Sequence, residues 1–351
     1  MDFKVKEYDY NKKIANQTVE ALGKVKSEKY FPIFIEDSKE YIFKPLSKTK
    51  PFLTPLFAYS EVYWSNLIKE YFDDNTPLYS LGICHGYSKQ VPKYNDKGTV
   101  VPKINQKGEK LVNLLEFFID NPDEKVNIEN YVNYCGVFYD YTDILKSDFF
   151  KNNPELANQL AYQILISILK GDINYHYENV SIIYEDNEPV SIAPMIDHEF
   201  SVMFYCLDSL YDHIFYYNKL LSGINMEVTE DDHTRAINIT KNLDYIIDNY
   251  REVAERFLEN LKKLKNDLKY NPIRFKDEGF MEPFNSFEFM AGQARYKEND
   301  EQKAKFIEEK IDRNEIDLSK FSKSLNREVL NIISSLEKTI TKKLKGKVKH
   351  I

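Results

Sequence analysis

The first hundred residues alternate short apolar runs with polar turns. Runs rich in β-branched and aromatic residues predict strands over residues 30–35, 40–46, 79–87 and 97–104. The polar residues 36–39 join the first two runs, which predicts a β-hairpin. Thr54 followed by a proline is typical of a helix N-terminus, and this helix is expected to run to about Phe72. The pattern therefore predicts a small sheet with one helix.

From Leu111 onward the apolar spacing changes to that of helices. One predicted helix ends before Pro122, and its apolar stripe is Leu111, Leu114, Leu115 and Phe118. Asn153 followed by Pro154 begins a second predicted helix. Gly171 stands where the C-terminal cap of this second helix is expected.

A β-hairpin is predicted inside the helical region. Residues 180–196 hold two short apolar runs, which the acidic residues 185–188 separate. Beyond Phe200 nearly all of the chain has a helical pattern, including residues 236–268, whereas residues 271–300 are irregular. Strands with one helix, followed by a large helical part, predict an α+β protein with two lobes.

The composition limits the partners and the compartment. Among 351 residues, 56 Asp and Glu outweigh 48 Lys and Arg, which gives a formal net charge of -8. Phosphate backbones repel such a chain as a whole, so nucleic acid is not expected as a partner. No apolar stretch is long enough to predict a membrane span. Three distant cysteines favour a cytoplasmic location over a disulfide framework. Leaderless secretion as an effector is compatible with the same features.

Glu61 is the unusual residue of the first predicted helix. It shares one helical face with four apolar residues: Phe57, Trp64, Ile68 and Phe72. A buried carboxylate requires a cation beside it, and Lys44 at the end of the preceding strand is the nearest candidate in sequence. Two interpretations stay open. Glu61 lies in water at the edge of the stripe, or it holds the strand lysine, as in kinases where such a pair positions nucleotide phosphates.

A polar loop follows the second long helix. It carries Asn174, His176 and Asn179, and Asp197 comes just after the hairpin. Amide and carboxylate oxygens suit the Mg²⁺ ions that bridge nucleotide phosphates, and a loop residue can orient the attacking hydroxyl. The alternative is an ordinary turn, whose Asn and Asp side chains satisfy backbone groups. The order of helix, loop, hairpin and acid favours phosphoryl transfer.

These residues resemble the catalytic core of HipA-like serine/threonine kinases, which are distant relatives of the phosphoinositide kinases. The loop of that family reads approximately G-N-x-D-x-H-x-x-N, and a hairpin and L-A-P-x-Y-D-x-x-S follow it. The matching residues are Gly171, Asp172, Asn174, His176, Asn179, Ile192, Ala193, Pro194, Ile196, Asp197 and Ser201. The resemblance covers residues 171–201 and the stretch from Lys44 to Glu61.

The resemblance implies a two-lobed, protein-kinase-like fold. The small β-rich lobe would span residues 1–105, and the large, mainly helical lobe would span residues 106–351. ATP and Mg²⁺ would bind in the cleft between the lobes. The implied site residues are Asn179 and Asp197 for magnesium, His176 for stabilising the loop, and Lys44 and Glu61 for positioning the phosphates.

Two features depart from the family pattern. The position of the catalytic aspartate holds Asn174, whose amide cannot accept a proton at neutral pH, and losing a general base typically costs about 10² to 10⁴ in rate. Three explanations stay open: an inactivated variant of a toxic kinase, a natural pseudokinase, or a takeover by Asp172.

The second departure is a glycine-rich loop with few glycines, because Gly23 is the only glycine before the first hairpin. Ser27 in that segment is predicted to contact phosphate or to be autophosphorylated.

The resemblance also implies partners. The substrate would be a protein, either a translation component, as for toxins of toxin–antitoxin modules, or a host protein, as for delivered effectors. An antitoxin is a candidate partner. The chain starts close to the kinase fold, so the additional N-terminal subdomain of longer toxins is not expected. The alternative functions are a non-catalytic nucleotide-binding pseudokinase or interaction protein, and a lipid or small-molecule kinase.

Overall fold

A computed structural model gives the conformation of thirteen stretches of the chain. They are residues 5–9, 33–36, 39–45, 54–73, 75–86, 97–104, 108–124, 126, 138–172, 175–196, 198, 230–272 and 318–347. All structural statements below concern these described residues.

The first sheet contains five strands within the described residues. They are β1 (Val5–Asp9), β2 (Ile33–Glu36), β3 (Lys39–Pro45), β4 (Ser80–His85) and β5 (Lys97–Pro102). Their order across the sheet is β1-β4-β5-β3-β2. The β1–β4 pair is parallel and the other pairs are antiparallel. The β2–β3 pair confirms the first predicted hairpin, and β4 and β5 confirm the two later strands. β1 was not predicted.

Helix α1 (Thr54–Tyr71) packs against β4 and β5 of this sheet. Its inward face buries Tyr63 and Trp64 completely. These side chains join a hydrophobic core that continues into the helical part of the molecule. The predicted helix is therefore confirmed, and it lies between the first sheet and the rest of the chain.

The second sheet is small and antiparallel. Its strands, in sheet order, are β6 (Lys110–Asn113), β7 (Ser181–Glu185) and β8 (Glu188–Ile192). Asp186 and Asn187 both have positive φ, at 49° and 67°, which suits the tight turn of the predicted hairpin. Residues 114–180 separate β6 from the hairpin in sequence.

The prediction that Leu111 belongs to a helix is wrong. Leu111 lies in β6 and pairs with Ile183 of β7, and helix α2 (Leu114–Asp120) begins only after Asn113. The side chain of Asn113 accepts a hydrogen bond of 2.8 Å from the backbone N–H of Glu116, so it caps the helix. Local spacing does not reveal a strand whose partner is seventy residues away in the chain.

The remaining described helices form the C-terminal part. They are α3 (Thr142–Leu145), α4 (Asp148–Asn152), α5 (Pro154–Lys170), α6 (Glu230–Asn249), α7 (Arg251–Tyr270) and α8 (Leu318–Lys347). Helix α5 is central, since it contacts α6, α7, α8 and β8. Every residue of α5 from Leu160 to Lys170 is buried. The predicted cap at Gly171 is confirmed by its left-handed φ of 61°.

The described residues confirm the α+β class, with a sheet-rich N-terminal part and a helical C-terminal part. The helical pattern over residues 236–268 belongs to two helices, because the chain breaks at Tyr250 between α6 and α7. Residues 201–229 and most of 271–300 lie outside the described residues, so those predictions stay open, as does the boundary near residue 105. No helix within the described residues is long and apolar enough to cross a membrane.

Gly98 permits the close approach of β5 to β3. A Cβ at Gly98 would lie 2.1 Å from the carbonyl oxygen of Lys44 and 2.9 Å from the Cα of Pro45. We expect Gly98→Ala to reduce the free energy of unfolding by about 1–3 kcal/mol, because the backbone must shift to relieve this overlap. Urea denaturation measures the change.

Gly346→Ala is the matched control. A Cβ at Gly346 near the end of α8 meets nothing within 4 Å, so this change should be neutral or stabilise by up to about 1 kcal/mol. Equal unfolding midpoints for Gly98→Ala and the parent protein would contradict the close approach.

Candidate functional site

Lys44 and Glu61 are in direct contact. The Nζ atom of Lys44, on β3, lies 2.6 Å from Oε1 of Glu61 on α1. The hydroxyl of Thr99 on β5 donates to the second carboxylate oxygen of Glu61, also at 2.6 Å. Lys44 and Thr99 are paired across the β3–β5 ladder, so the sheet places both donors side by side. Each carboxylate oxygen of Glu61 therefore has a donor.

The two members of the ion pair differ in exposure. The side chain of Glu61 is 2% exposed, whereas that of Lys44 is 27% exposed. The interpretation that placed Glu61 at a solvated edge of its stripe is therefore wrong. The carboxylate is buried because its neighbours on α1, including Trp64 and Ile68, pack into the core. The pair thus holds an ammonium group at the margin of the core, with part of its surface accessible.

Helix α5 ends in a left-handed cap. Gly171 adopts the left-handed conformation, and its N–H donates to the carbonyl of Ile168. The N–H of Asp172 donates to the carbonyl of Ser167, which completes the C-terminal cap. This cap ends the helix, and the predicted loop begins after it.

Asp172 is bound by its neighbour Lys170. The Nζ atom of Lys170 lies 2.9 Å from Oδ2 of Asp172, and the two side chains are 0% and 4% exposed. A replacement general base would have to reach a substrate hydroxyl. A carboxylate that is buried and paired with an ammonium group does not meet this requirement. This pairing disfavours the hypothesis that Asp172 takes over from the missing aspartate, and the hypothesis stays open.

His176 and Asn179 lie at the two ends of a short turn. The backbone N–H of Asn179 donates to the carbonyl of His176 at 2.9 Å, across the 3-10 turn Tyr177–Asn179. The imidazole of His176 lies 4.0 Å from the carboxylate of Glu178 and packs near the ring of Tyr139. Both residues are half-buried directly before β7. The turn therefore places Asn179 just before the hairpin.

His198 connects three parts of the site. Its Nδ1 atom lies 3.0 Å from the Nζ atom of Lys170, and its backbone carbonyl accepts a hydrogen bond of 2.8 Å from the hydroxyl of Ser60. Its ring is completely buried and packs near Tyr79. Ser60 precedes Glu61 on α1, so His198 contacts α1 one residue before the acid of the Lys44–Glu61 pair.

The charge around His198 keeps its ring neutral. Burial lowers the pKa of His198 well below its ordinary value, and the ammonium groups of Lys170 and Lys44 lower it further. A lysine can only donate, so Nδ1 accepts the hydrogen bond and the proton resides on Nε2. Within the described residues Nε2 has no hydrogen-bond partner. Lys44 from the first sheet and Lys170 from α5 therefore act on the same imidazole.

Two buried tyrosines, Tyr141 and Tyr175, lie near enough to Asp172 for its charge to affect them. Burial raises the pKa of Tyr175, and the nearby Asp172 raises it further. Burial likewise raises the pKa of Tyr141, with smaller effects from neighbouring tyrosines and Asp172. The rings of Tyr141 and Tyr175 lie 5.1 Å apart between their centroids. Asp172 thus lies in an aromatic interior rather than in an open cleft.

The predicted site residues are only partly described. Lys44, Glu61, His176 and Asn179 have the contacts given above, and their functional roles stay predictions. Ser27, Asn174 and Asp197 lie outside the described residues. Thr99, Lys170 and Ser60 were not predicted as site residues. One signal was available: Lys170 is a single lysine at the end of a long apolar run and two residues before an aspartate.

The donor set fits a nucleotide phosphate better than a protein-only metal site. Within the described part of the chain, no group of three His, Cys, Asp or Glu side chains could hold a metal ion. The Lys44 ammonium, fixed by Glu61 and partly exposed, suits a phosphate oxygen. Asn179 contributes one amide oxygen, a ligand that suits Mg²⁺ when phosphate and carboxylate oxygens complete the shell.

Comparisons with known proteins include one distant structural similarity. The fold is similar to the crystal structure of the Helicobacter pylori proinflammatory kinase CtkA, with a TM-score of 0.42 and 13% sequence identity. The similarity covers 87% of this chain and 94% of that chain. No protein-family model and no curated protein matches the chain. The function must therefore be inferred from the contacts of the chain itself.

The Lys44–Glu61 pair predicts strongly non-additive effects on stability. Lys44→Met leaves a buried carboxylate with Thr99 as its remaining described donor, and we expect a loss of about 2–4 kcal/mol in the free energy of unfolding. The double variant Lys44→Met/Glu61→Leu removes both charges and should be more stable than Lys44→Met alone. Urea denaturation of the two single variants and the double variant measures the coupling. Additive effects would show that the pair does not interact.

The neutral state of His198 predicts a pH dependence of stability. The unfolded chain takes up a proton at His198 near pH 6.5, whereas the folded chain excludes it until a much lower pH. The neutral His198 ring therefore makes its full contribution to the free energy of unfolding above about pH 6.5, and this contribution is lost as the pH falls. As the pH falls from 6.5 to 5.5, the free energy of unfolding of His198→Asn should decrease by up to about 1 kcal/mol less than that of the parent protein. Parallel pH profiles from urea denaturation would contradict a neutral His198.

Proposed function

We propose that the chain is an ATP- and Mg²⁺-dependent kinase of the HipA-like type, built to transfer phosphate to a serine or threonine of a protein. The Lys44–Glu61 ion pair carries this proposal. The carboxylate of Glu61 is buried and accepts two hydrogen bonds, while the side chain of Lys44 is 27% exposed, which suits a group that positions a nucleotide phosphate.

The position of the pair relative to the loop supports the same function. Ser60 on α1 bonds to the backbone of His198, and Lys44 is close enough to influence the charge state of the His198 ring. His198 directly follows Asp197, the predicted magnesium ligand. Asn179 is fixed by its turn at the start of the hairpin. Phosphate-positioning and metal-binding groups would therefore lie on the two sides of one nucleotide.

The second candidate function is a nucleotide-binding pseudokinase. Asn174 stands where the family has its catalytic aspartate, and the nearest acid in the sequence, Asp172, is bound by Lys170. This pairing disfavours Asp172 as a replacement base. Nucleotide binding depends on Lys44 and on the metal ligands rather than on position 174, so binding would persist where transfer does not.

ATP binding tests the proposal independently of catalysis. We expect the parent protein to bind ATP in the presence of Mg²⁺, as measured by isothermal titration calorimetry. Lys44→Met should weaken this binding about 10- to 100-fold, because it removes a charged donor to phosphate. Lys103→Met is the matched control, since Lys103 pairs with Glu40 on the same sheet with 30% exposure. Equal affinities for the two variants, or no binding by the parent, would refute the site.

Restoring the acid at position 174 separates the two candidate functions. We expect Asn174→Asp to transfer radiolabelled phosphate from ATP to protein, at a rate about 10² to 10⁴ times that of the parent. Equal ATP affinity with no transfer by either form would favour the pseudokinase. Transfer to lipid or to a small molecule rather than to protein would favour those kinase classes.

The cellular role of a kinase is also testable. If the chain acts as a toxin on a translation component, producing Asn174→Asp should arrest bacterial growth, whereas the parent should not. Co-production of a cognate antitoxin would relieve the arrest. Phosphorylation of host proteins without growth arrest would instead favour an effector role.

A further inference from the structure

We propose that the exposed face of helix α8 binds the surface of an anionic phospholipid bilayer. The contact is electrostatic, and the helix stays packed on the rest of the chain. This surface is independent of the proposed nucleotide site, since no residue of that site lies on α8.

The exposed residues of α8 carry charge of one sign. Eight described residues of this helix are exposed; five of them are cations and none is an acid. The cations, here called the basic face, are Lys323, Arg327, Lys338, Lys342 and Lys345. At 3.6 residues per turn they fall within about a third of the helix circumference and extend over about 33 Å of its length. The basic face is therefore a continuous stripe.

The acids of α8 do not neutralise this stripe. Oε2 of Glu337 lies 2.8 Å from Nζ of Lys265 on α7. Glu328 is 9% exposed and accepts hydrogen bonds from Arg327 and Asn331. The four lysines of the basic face have no ion-pair partner among the described residues. Their charges are consequently available to a partner.

Helix α7 shows what a merely solvated helix of this chain looks like. Its exposed residues include five cations and four acids, so both signs are interspersed. Mixed charges of this kind are typical of soluble surfaces. Acids also outnumber cations in the whole chain, by 56 to 48. Solubility does not require a single sign on α8, so the basic face indicates an anionic partner.

The opposite face of α8 holds the stripe in place. Helix α8 contacts α5, α6 and α7. Six apolar side chains of the inward face are 0% exposed: Leu325, Val329, Ile332, Ile333, Leu336 and Ile340. The cations therefore project from a fixed helix toward one side, and little conformational entropy is lost when they bind together.

A flat anionic bilayer fits this stripe better than a nucleic acid does. A plane can meet all five cations at once, whereas a duplex curves away from the helix. The exposed residues of α8 include no aromatic side chain on which bases could stack. Four of the five cations are lysines, whose compact charges suit mobile headgroups rather than bidentate contacts. Lysine clusters on one helix face are typical of proteins that bind anionic lipid.

The net charge of -8 limits the strength of this contact without preventing it. At physiological ionic strength, charges are screened beyond about 8 Å, so the nearest side chains dominate at a surface. The exposed residues of α8 also include no apolar side chain that could insert into the bilayer. Binding should therefore be reversible and sensitive to salt.

Vesicle sedimentation with the full chain tests the proposal. We expect binding to vesicles of mixed phosphatidylserine and phosphatidylcholine, and none to phosphatidylcholine alone. Binding should fall about tenfold or more between about 0.1 M and 0.5 M salt. The triple variant Lys338→Glu/Lys342→Glu/Lys345→Glu should bind about 100-fold more weakly than the parent.

Two further variants separate local charge from net charge and from misfolding. Replacing the same three lysines by glutamine should weaken binding about tenfold, which is less than reversal does. The control reverses three exposed lysines on β3 and around α4, namely Lys39, Lys146 and Lys151. It makes the same change in net charge and should bind vesicles within about threefold of the parent.

The remaining outcomes overturn the proposal. They are no serine-lipid-dependent binding by the parent, equal binding to neutral vesicles, and an equal loss in the control variant. Binding to duplex DNA or to a polyglutamate peptide, without binding to vesicles, would reassign the basic face to that class of partner. ATP affinity should be unchanged in all three variants, so a failed nucleotide site leaves this test intact.

Discussion

The buried carboxylate of Glu61 is the constraint on which the described site depends. It lies between α1 and the first sheet, and each of its oxygens has one donor from that sheet, Lys44 or Thr99. An unpaired carboxylate in this environment would cost several kcal/mol. Helix α1 is therefore fixed in both rotation and height against β3 and β5, because any shift along its axis would remove a donor. Local propensity alone would not set the register of a helix so strictly.

A second buried charge extends this constraint to the helical part. Lys170 lies at the end of the most buried helix and contacts both Asp172 and His198. Ser60 binds the same His198 through its backbone, one residue before Glu61. The polar contacts of α1 and α5 thus converge on one neutral imidazole, and the apolar core encloses them. Polar groups at such a depth specify one arrangement of the elements, where apolar packing alone would accept several.

The sequence predicts the elements of this fold better than their long-range pairing. The hairpins, α1, α5 and the cap at Gly171 follow from local signals, namely proline, glycine and apolar spacing. β1 and β6 were missed because each is a short strand whose partner lies far along the chain. At the site, the Lys44–Glu61 pair was predictable since a carboxylate on an apolar stripe needs a cation. The partners Thr99 and Ser60 were not predictable, because a neutral hydroxyl on a strand or helix has no distinctive sequence pattern.

The position of β5 has a consequence for the order in which the molecule can assemble during synthesis. β5 is the last strand of the first sheet in the chain but lies at its centre, between β4 and β3. Until residues 97–102 have left the ribosome, the β2–β3 hairpin and the β1–β4 pair share no ladder, and isolated strand pairs are marginal in water. Glu61 is translated before Thr99, so its carboxylate lacks this donor until β5 has been made. A nascent chain shorter than this would expose the apolar face of α1, a surface that chaperones recognise.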